Sequence, residues 1–329
     1  METIEKKIAS ISISGEITLN MHSLNNEGGE GNQIMTRQLT IIDKNGQEHT
    51  VNGISGDMFK HIHAWHLINY CMEKGLSLSS YSKNCDPNRI SSAEILMKNA
   101  NVGKDTSKGS EVLDEILKIC TVCDAHGFLN TDDVGKNKGA KNLPRKSILE
   151  FGWTVGIPYN NNTETYLHTK LVSDAGEKGS GTGSNEGQNI FHRPANCGIY
   201  AFVCNLDVYR LGFNDISRLY AIDDDERTTR YKAVLQSLLS SFVNPQGAMT
   251  STQKPHITDF KGIVSISQKL IPAPTISALN PEYKQEIEKI RENINSIEND
   301  AIELKEFNGL GELSKIIAEL IGKQPYKIG

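Results

Sequence analysis

This chain of 329 residues is predicted to have an α+β fold built on an antiparallel sheet. Apolar and polar residues alternate from Ile8 to Leu19, which is the period of a strand with one buried face. An amphipathic helix is predicted from Ser55 onward, and a second after Asp223. Strand-like segments precede and follow each helix. This order indicates a sheet with helices packed on it.

The composition is that of a soluble globular protein. Hydrophobic residues make up 37% and charged residues 23% of the chain, and no apolar run approaches the roughly 20 residues of a spanning helix. The first ten residues lack the apolar segment of a signal peptide. We therefore expect a cytoplasmic protein without membrane association. The net charge of −5 implies that any contact with nucleic acid rests on local basic patches.

The first strand is followed by a polar, glycine-rich segment from Asn20 to Asn32, which we predict to be a loop. The next two strand patterns, 34–42 and 49–54, flank Asp-Lys-Asn-Gly and predict a hairpin.

A Ser-Gly-Asp turn then opens the first helix, with Ser55 as N-cap. The free N–H groups of the first turn and Lys60 make this helix start a candidate anion site; an ordinary capped helix is the alternative. The face predicted to be buried carries Met58, Ile62 and Trp65.

Strand patterns are absent from residues 71–146, which we interpret as an inserted helical subdomain. A capping box at Ser91 and Glu94 and a cap at Ser110 mark two of its helices. Its last part, Lys136–Lys146, carries five positive charges and is either a solvated loop or a phosphate-contacting loop.

The second half returns to strand patterns at 151–158, 163–172 and 199–208, and we predict that Ser173–Asn189 projects as the tip of a long hairpin. A helix with an apolar stripe from Tyr231 to Phe242 follows, then a strand at 262–269. Apolar residues at spacings of four and three from Tyr283 to Leu304 predict one long helix that packs within the chain.

Catalytic and cofactor motifs are not recognisable in the sequence, so we expect neither enzymatic activity nor a cofactor. Among His61, His63 and His66, only the last two could share a metal ion, and we expect one partly buried and two surface histidines. Cys120 and Cys123 form a single Cys-x-x-Cys pair, which we interpret as packing.

The order strand, helix, strands, projecting hairpin, strand, helix, strand is that of an RRM-like, ferredoxin-type sheet with insertions. Several segments also resemble, in the right order, the DevR-type CRISPR-associated autoregulator family, which supplies the repeated backbone subunit of type I Cascade, mostly subtypes I-A and I-B. These segments are Asn20–Asn25, Ile54–His61, Cys123–Leu129, the strand holding His168, Gln188–Gly198 and Gly247–Ser251.

The resemblance implies a guide-RNA-binding backbone subunit that stacks in multiple copies along a crRNA and presents it to target DNA. It implies a palm in two parts (1–70 and 148–271), a helical finger insertion (71–147), a β-hairpin thumb (169–189) and a C-terminal helical extension (272–329). The implied partners are crRNA, target DNA through the guide, further copies of the chain, other Cascade subunits, and a helicase-nuclease or transposition machinery.

Carried over motif by motif, the resemblance implies RNA contacts in four regions and one further candidate, Arg37. The residues are Asn20, His22 and Asn25 after the first strand; Ser55, Gly56 and Lys60 at the helix start; Thr250 and Ser251 in the late loop; and His168, Gln188 and Arg193 beside the thumb. Two alternatives stay open: a type III-like backbone subunit with metal-dependent RNase activity, for which the first loop offers Glu27 and Glu30 but no aspartate, and a protein-only assembly module.

Overall fold

A computed structural model describes residues 7–171 and 188–329. The side chains of 170, 171, 188 and 189 lie outside that description, as does most of the predicted hairpin tip. The strands are β1 Lys7–Ile8, β2 Ser10–His22, β3 Asn26–Glu30, β4 Gln33–Thr36, β5 Gln38–Ile42, β6 Glu48–Ile54, β7 Phe128–Asn130, β8 Leu143–Arg145, β9 Leu149–Phe151, β10 Thr154–Leu171, β11 Gln188–Leu206, β12 His256–Ser267, β13 Ile302–Asn308 and β14 Gln324–Pro325.

Most of the helices begin at a side-chain cap. The helices are α1 Gly56–Lys74, α2 Ser80–Lys83, α3 Ser92–Lys98, α4 Gly109–Ile119, α5 Thr121–His126, α6 Asp224–Val243, α7 Tyr283–Ile297 and α8 Leu310–Ile321. At the start of α6, the Asp223 carboxylate accepts a hydrogen bond from the Glu226 N–H at 2.8 Å. The acidic first turn of α6 also suits the helix dipole, as the sequence predicts.

The main sheet has the order β13-β12-β2-β11-β10-β6-β5, and all pairs along this path are antiparallel. β9 pairs with the end of β11, beside β10. The first helix follows β2 by way of β6, and the second, α6, connects β11 to β12. The fold is therefore mixed α/β with an antiparallel sheet, as predicted.

One face of the sheet carries the main core. Phenylalanines from α1, α6 and the sheet meet there: the Phe59 and Phe202 ring centroids are 5.3 Å apart, and the Phe242 and Phe260 centroids are 5.0 Å apart. Apolar residues of α8 and the inserted helices extend the same cluster. This packing fixes where the N-terminus of α1 lies relative to the sheet.

The other face is covered in part by the chain before and within α7. Ser12 Oγ donates to the Ala273 carbonyl at 3.0 Å, and Tyr283 and Ile287 bury Ala201 and Ile263. The prediction that the first strand has one buried face was therefore wrong, because Ser10, Ser12 and Ser14 are buried as well. Small hydroxyl side chains fit where a loop backbone lies close to the strand.

A buried ion cluster attaches the insertion to the rest of the fold. Asp124, in α5, receives hydrogen bonds from Arg145 at 2.6 Å, from Arg230 of α6 at 3.0 Å and from the Gly212 N–H at 2.9 Å. All three charged side chains have no solvent exposure. Arg145 belongs to the predicted basic loop, so this part of Lys136–Lys146 is neither solvated nor open to phosphate.

The polar stretch 20–32 differs from the predicted loop. β2 continues to His22, and β3 and β4 form a hairpin whose second strand pairs with β11 at Gln33 and His192. The pairing of β4 with β11 stabilises a hairpin whose first strand, β3, has no apolar side chain.

The C-terminal region also departs from the prediction. The long helix over 283–304 was wrong beyond Ile297, since Ile302–Asn308 forms the edge strand β13. Ala301 and Leu304 therefore do not continue a helical seam. Their spacing suits a helix, but the backbone hydrogen bonds and side-chain packing that they gain by pairing with β12 favour a strand.

Two predictions about the helices need correction: the start of α4 and the buried face of α1. α4 begins at Gly109 rather than after Ser110. On α1 the buried side is centred on Phe59, Ile62 and Leu67, and Trp65 is only half-buried. Among the residues the structure describes, no helix is long and apolar enough to cross a membrane.

Candidate nucleic-acid interface

The N-terminus of α1 lies against the end of β9. The Ser55 hydroxyl accepts a hydrogen bond from the Met58 N–H at 3.2 Å, which confirms the predicted cap. A Cβ atom at Gly56 would collide with the carbonyl oxygen of Phe151. Glycine at this position is therefore required by the close approach of helix and strand.

Lys60 is one turn into α1 and half-buried. Two cavities border it: one of about 230 Å³ that also contacts Arg89 of the insertion, and one of about 280 Å³ that also contacts Gly56 and Trp153. Burial is the main cause that lowers the pKa of Lys60, and the positive charge of Arg89 lowers it further, while the negative charges of Asp57 and Glu150 act in the opposite direction. Among the described residues no carboxylate forms a hydrogen bond with its ammonium group. This desolvated cation would be stabilised by an anion.

Arg37 lies near the same helix start. Its guanidinium forms an ion pair with the Glu27 carboxylate and stacks on the indole of Trp153, 5.1 Å from the ring centroid. Trp153 is 44% exposed, although the sequence indicated no aromatic platform beside the anion site. The indole lies next to the Lys60 cavity only because β9 and β10 meet α1 there, so sequence order did not reveal it.

The predicted contacts His22 and Asn25 are inside the protein. His22 Nε2 lies 2.9 Å from the Tyr200 hydroxyl, and burial lowers its pKa to about 3. Its Nδ1 accepts from the Leu24 N–H at 3.3 Å, so Nε2 carries the hydrogen. Asn25 accepts from the Asn196 amide at 2.6 Å. Neither side chain faces solvent, and their role is to hold the turn after β2.

Sequence reasoning missed the polar network around Asn196. The Thr163 hydroxyl lies 2.6 Å from the Asn196 carbonyl oxygen and 2.9 Å from that of Asn52, and both asparagines are buried. The network joins the base of the β10–β11 hairpin to β6 and to the turn at Asn25. The Asn160–Asn162 run was a signal, since the Asn161 side chain accepts from the Asn52 N–H at the register shift of β10.

A second group of predicted residues lies along the β10–β11 hairpin. The His168 and Phe191 rings stack with centroids 5.6 Å apart, and the Arg193 guanidinium lies 4.7 Å from the Phe191 centroid. Arg193 also donates to the Thr252 hydroxyl at 3.2 Å. Gln188 pairs through its backbone with Leu171, but its side chain lies outside the described residues.

The late loop holding Thr250 and Ser251 is attached to both α1 and β11. His61 Nε2 lies 3.0 Å from the Gly247 carbonyl, and His66 Nε2 lies 2.7 Å from the Asn244 carbonyl. At its other end, Gln253 donates to the Pro194 carbonyl at 3.1 Å. Thr250 is half-buried and Ser251 is exposed. The loop therefore bridges the two groups of predicted residues.

The three histidines of α1 do not gather as a metal site. His63 is buried, with Nδ1 2.8 Å from His126 Nε2 and Nε2 3.0 Å from the Val234 carbonyl. His66 is half-buried and His61 exposed, so the expectation of one partly buried and two surface histidines was wrong because His63 is fully buried and only His61 is exposed. No group of three or more metal-ligating side chains occurs within residues 7–171 and 188–329. Cys120 and Cys123 are buried, and Cys120 Sγ accepts from the Cys123 N–H at 3.3 Å.

The structure thus brings Arg37, Ser55, Gly56 and Lys60 together at the start of α1. It places Arg193 and His168 along the hairpin, with Thr250 and Ser251 between the two groups. Asn20 is half-buried at the end of β2, where its amide lies 3.5 Å from the Thr258 hydroxyl.

Residues 13–288 match the model of the family described as "CRISPR-associated negative auto-regulator DevR/Csa2". The chain belongs to this DevR/Csa2 family. The resemblance drawn from the sequence motifs is confirmed. A curated relative from Methanocaldococcus jannaschii, "CRISPR-associated protein Cas7/Cst2/DevR", is 26% identical over 94% of this chain and 97% of the relative.

Solved structures similar to this DevR/Csa2 chain include a subunit of a "CRISPR RNA-guided surveillance complex, pre-nicking". That subunit is 10% identical, with a TM-score of 0.45 over 94% of this chain and 99% of its own. A chain of a "CRISPR RNA-guided surveillance complex" has 12% identity and a TM-score of 0.41 over 95% of this chain and 98% of its own. Thermofilum pendens Csc2 has 12% identity and a TM-score of 0.37 over 98% of this chain and 87% of its own.

Proposed function

We propose that this DevR/Csa2 chain is the guide-RNA-binding backbone subunit of a type I CRISPR interference complex. Copies of it stack along the crRNA, hold its phosphates and leave the bases free to pair with target DNA. The single observation that carries the proposal is Lys60, a half-buried cation at the start of a 19-residue helix with no hydrogen-bonded carboxylate among the described residues. A phosphate there would receive both a full charge and helix N–H groups.

The order β12-β2-β11-β10, with α1 and α6 on one face, supports an RRM-like palm formed by 1–70 and 148–271. The insertion 71–147 would be the finger, although α1 itself runs on to Lys74. The β10–β11 hairpin would be the thumb, whose tip lies outside the described residues. The region 272–329 would extend the palm, with β13 added to its helices.

The proposed partners are crRNA, target DNA through the guide, adjacent copies and other Cascade subunits. Target cleavage or insertion would be left to a helicase-nuclease or a transposition machinery. The alternative of a protein-only assembly module relied on the apolar residues spaced by four and three from Tyr283 to Leu304, and the helix that carries them ends at Ile297.

Lys60→Ala is expected to weaken RNA binding and to reduce its salt dependence. Each neutralised phosphate contributes a log–log slope of about −0.7 on single strands, so the variant should lose roughly that amount. The measurement is fluorescence anisotropy with labelled single-stranded RNA over a range of KCl concentrations. Affinity should vary little between unrelated RNA sequences, because phosphate contacts carry no sequence information.

Lys289→Ala is the matched control. Lys289 lies on α7, is exposed, and forms an ion pair with Glu286 at 2.9 Å. Its removal should leave the slope unchanged. An equal loss in both variants would contradict a specific phosphate contact at Lys60 and indicate only a general charge effect.

We also expect the assembled complex to leave complementary RNA and DNA uncut when only Mg²⁺ or Mn²⁺ is added. Glu27, one of the two carboxylates available to a type III-like nuclease, is held by Arg37, and both carboxylates are exposed. Divalent ions require several oxygen ligands brought together. Metal-dependent cleavage that Glu27→Ala or Glu30→Ala abolishes would instead establish the nuclease alternative.

A further inference from the structure

The cavity beside the start of α1 has a composition that a phosphate site alone does not explain. It has a volume of about 280 Å³ and is lined by Lys60 on one side and by the indole of Trp153 on another. Tryptophan has a large aromatic face that suits stacking on a base, and here the indole and a cation line the same cavity.

The Trp153 indole is held in place by its contact with Arg37. The Arg37 guanidinium lies 5.1 Å from its centroid, and Arg37 is in turn fixed by its ion pair with Glu27 and by its N–H, which donates to the Asn25 carbonyl at 2.9 Å. Because a cation lies over one face of the ring, a base can stack on the other face, and the guanidinium, the indole and the base then form a favourable stack of three planes. The ring therefore need not be reordered when a ligand binds.

The remaining wall of the cavity includes Glu150, whose carboxylate forms an ion pair with Lys146 at 2.7 Å. Asp57, in the first turn of α1, lines the cavity as well, and the charges of both carboxylates act on the Lys60 ammonium, although neither carboxylate forms a hydrogen bond with it among the described residues. The cavity thus offers an ammonium group that is not engaged in a hydrogen bond with a carboxylate and one aromatic face, which are the two groups that a single nucleotide unit needs.

We propose that this cavity is a nucleotide subsite in which Trp153 stacks on one base of the bound RNA while Lys60 holds the phosphate beside it. The inference rests on the proposed RNA-binding function and adds a base contact to it. Because every base has an aromatic face, the contact fixes the position of the strand without selecting its sequence. Trp153 is thereby assigned a positioning role on the guide.

The test uses the full chain carrying Trp65→Phe, which leaves Trp153 as the sole tryptophan. The probes are a short single-stranded RNA and an RNA of equal length in which all bases are replaced by abasic ribose. Normal RNA should quench the Trp153 emission, whereas abasic RNA should bind with a similar salt slope and cause little quenching. Trp153→Leu should weaken binding of normal RNA by on the order of tenfold, and Trp153→Phe by much less.

Tyr159→Leu is the control, since this exposed aromatic residue lies outside the cavity and its loss should leave the affinity unchanged. If both RNAs bind equally well, neither quenches Trp153 and Trp153→Leu binds like the unsubstituted chain, then the stacking inference is wrong while RNA binding stands. If neither RNA binds, the proposed function fails and the subsite fails with it.

Discussion

Asp124→Ala is expected to destabilise the protein by about 3–5 kcal/mol, because it leaves two buried guanidinium groups without their shared counter-ion. Arg145 and Arg230 have no solvent exposure, and Asp124 is the fully buried carboxylate that they share. Each arginine keeps one further partner that is about a third exposed, Asp215 for Arg145 and Glu226 for Arg230, and these partners cannot replace the buried charge between the two guanidinium groups. Asp124→Asn should also be strongly destabilising, since it keeps the shape and removes the charge. The insertion should be affected most, because Asp124 connects α5 to α6.

The measurement is urea-induced unfolding followed by circular dichroism, with the midpoints compared at equal m-values. Asp133→Asn serves as the control, because Asp133 is an exposed residue of the same insertion and should change the stability by less than about 0.5 kcal/mol. A shift for Asp124→Ala as small as that of the control would mean that the ion cluster does not hold the insertion in place.

The second large effect is loss of stability in mild acid. Burial lowers the pKa of His22 to about 3 and that of His63 to about 4, and it also lowers the pKa of His126 well below its usual value. These side chains are neutral in the folded protein but take up protons near pH 6.5 when unfolded. Their contribution is complete above pH 6.5 and falls as the pH decreases toward the folded-state values.

Each histidine should reduce the free energy of unfolding by about 1.4 kcal/mol per pH unit below pH 6.5, so the three together should remove about 4 kcal/mol between pH 7.5 and pH 5.5. Thermal or urea unfolding at a series of pH values measures this loss. His63→Gln should make the dependence shallower, since an amide can still donate to Val234 and accept from His126 without titrating.

Met97→Leu provides the comparison, because Met97 is exposed and has no titratable group, so its replacement should leave the pH dependence as it is. If His63→Gln and the unsubstituted chain lose stability in parallel, the buried histidines are not the groups responsible.

Local patterns predicted much of the antiparallel sheet and its first two long helices correctly. The alternation in β2, the hairpin at Asp43–Gly46, the Ser55 cap and the acidic start of α6 each depend on residues close together in sequence. The motif resemblance to the DevR family depended on short segments in order, and the family match over 13–288 confirmed it. Predictions failed where the structure depends on contacts between segments far apart in the chain. Backbone pairing with other strands decided the β3–β4 hairpin and the edge strand β13, and coverage by a distant loop buried the serines of β2.

For the candidate site, the helix start could be predicted from neighbouring residues: Ser55, Gly56 and Lys60 lie within about a turn and a half, and capping is a local interaction. Which side chains share that site could be learned only from the folded chain. Folding buried His22 and Asn25, and it placed Arg37 and Trp153 beside Lys60. Burial and cation–aromatic contacts depend on residues that are far apart in the chain. Here the sheet brings β4, β9 and β10 together, and this places those residues next to one another.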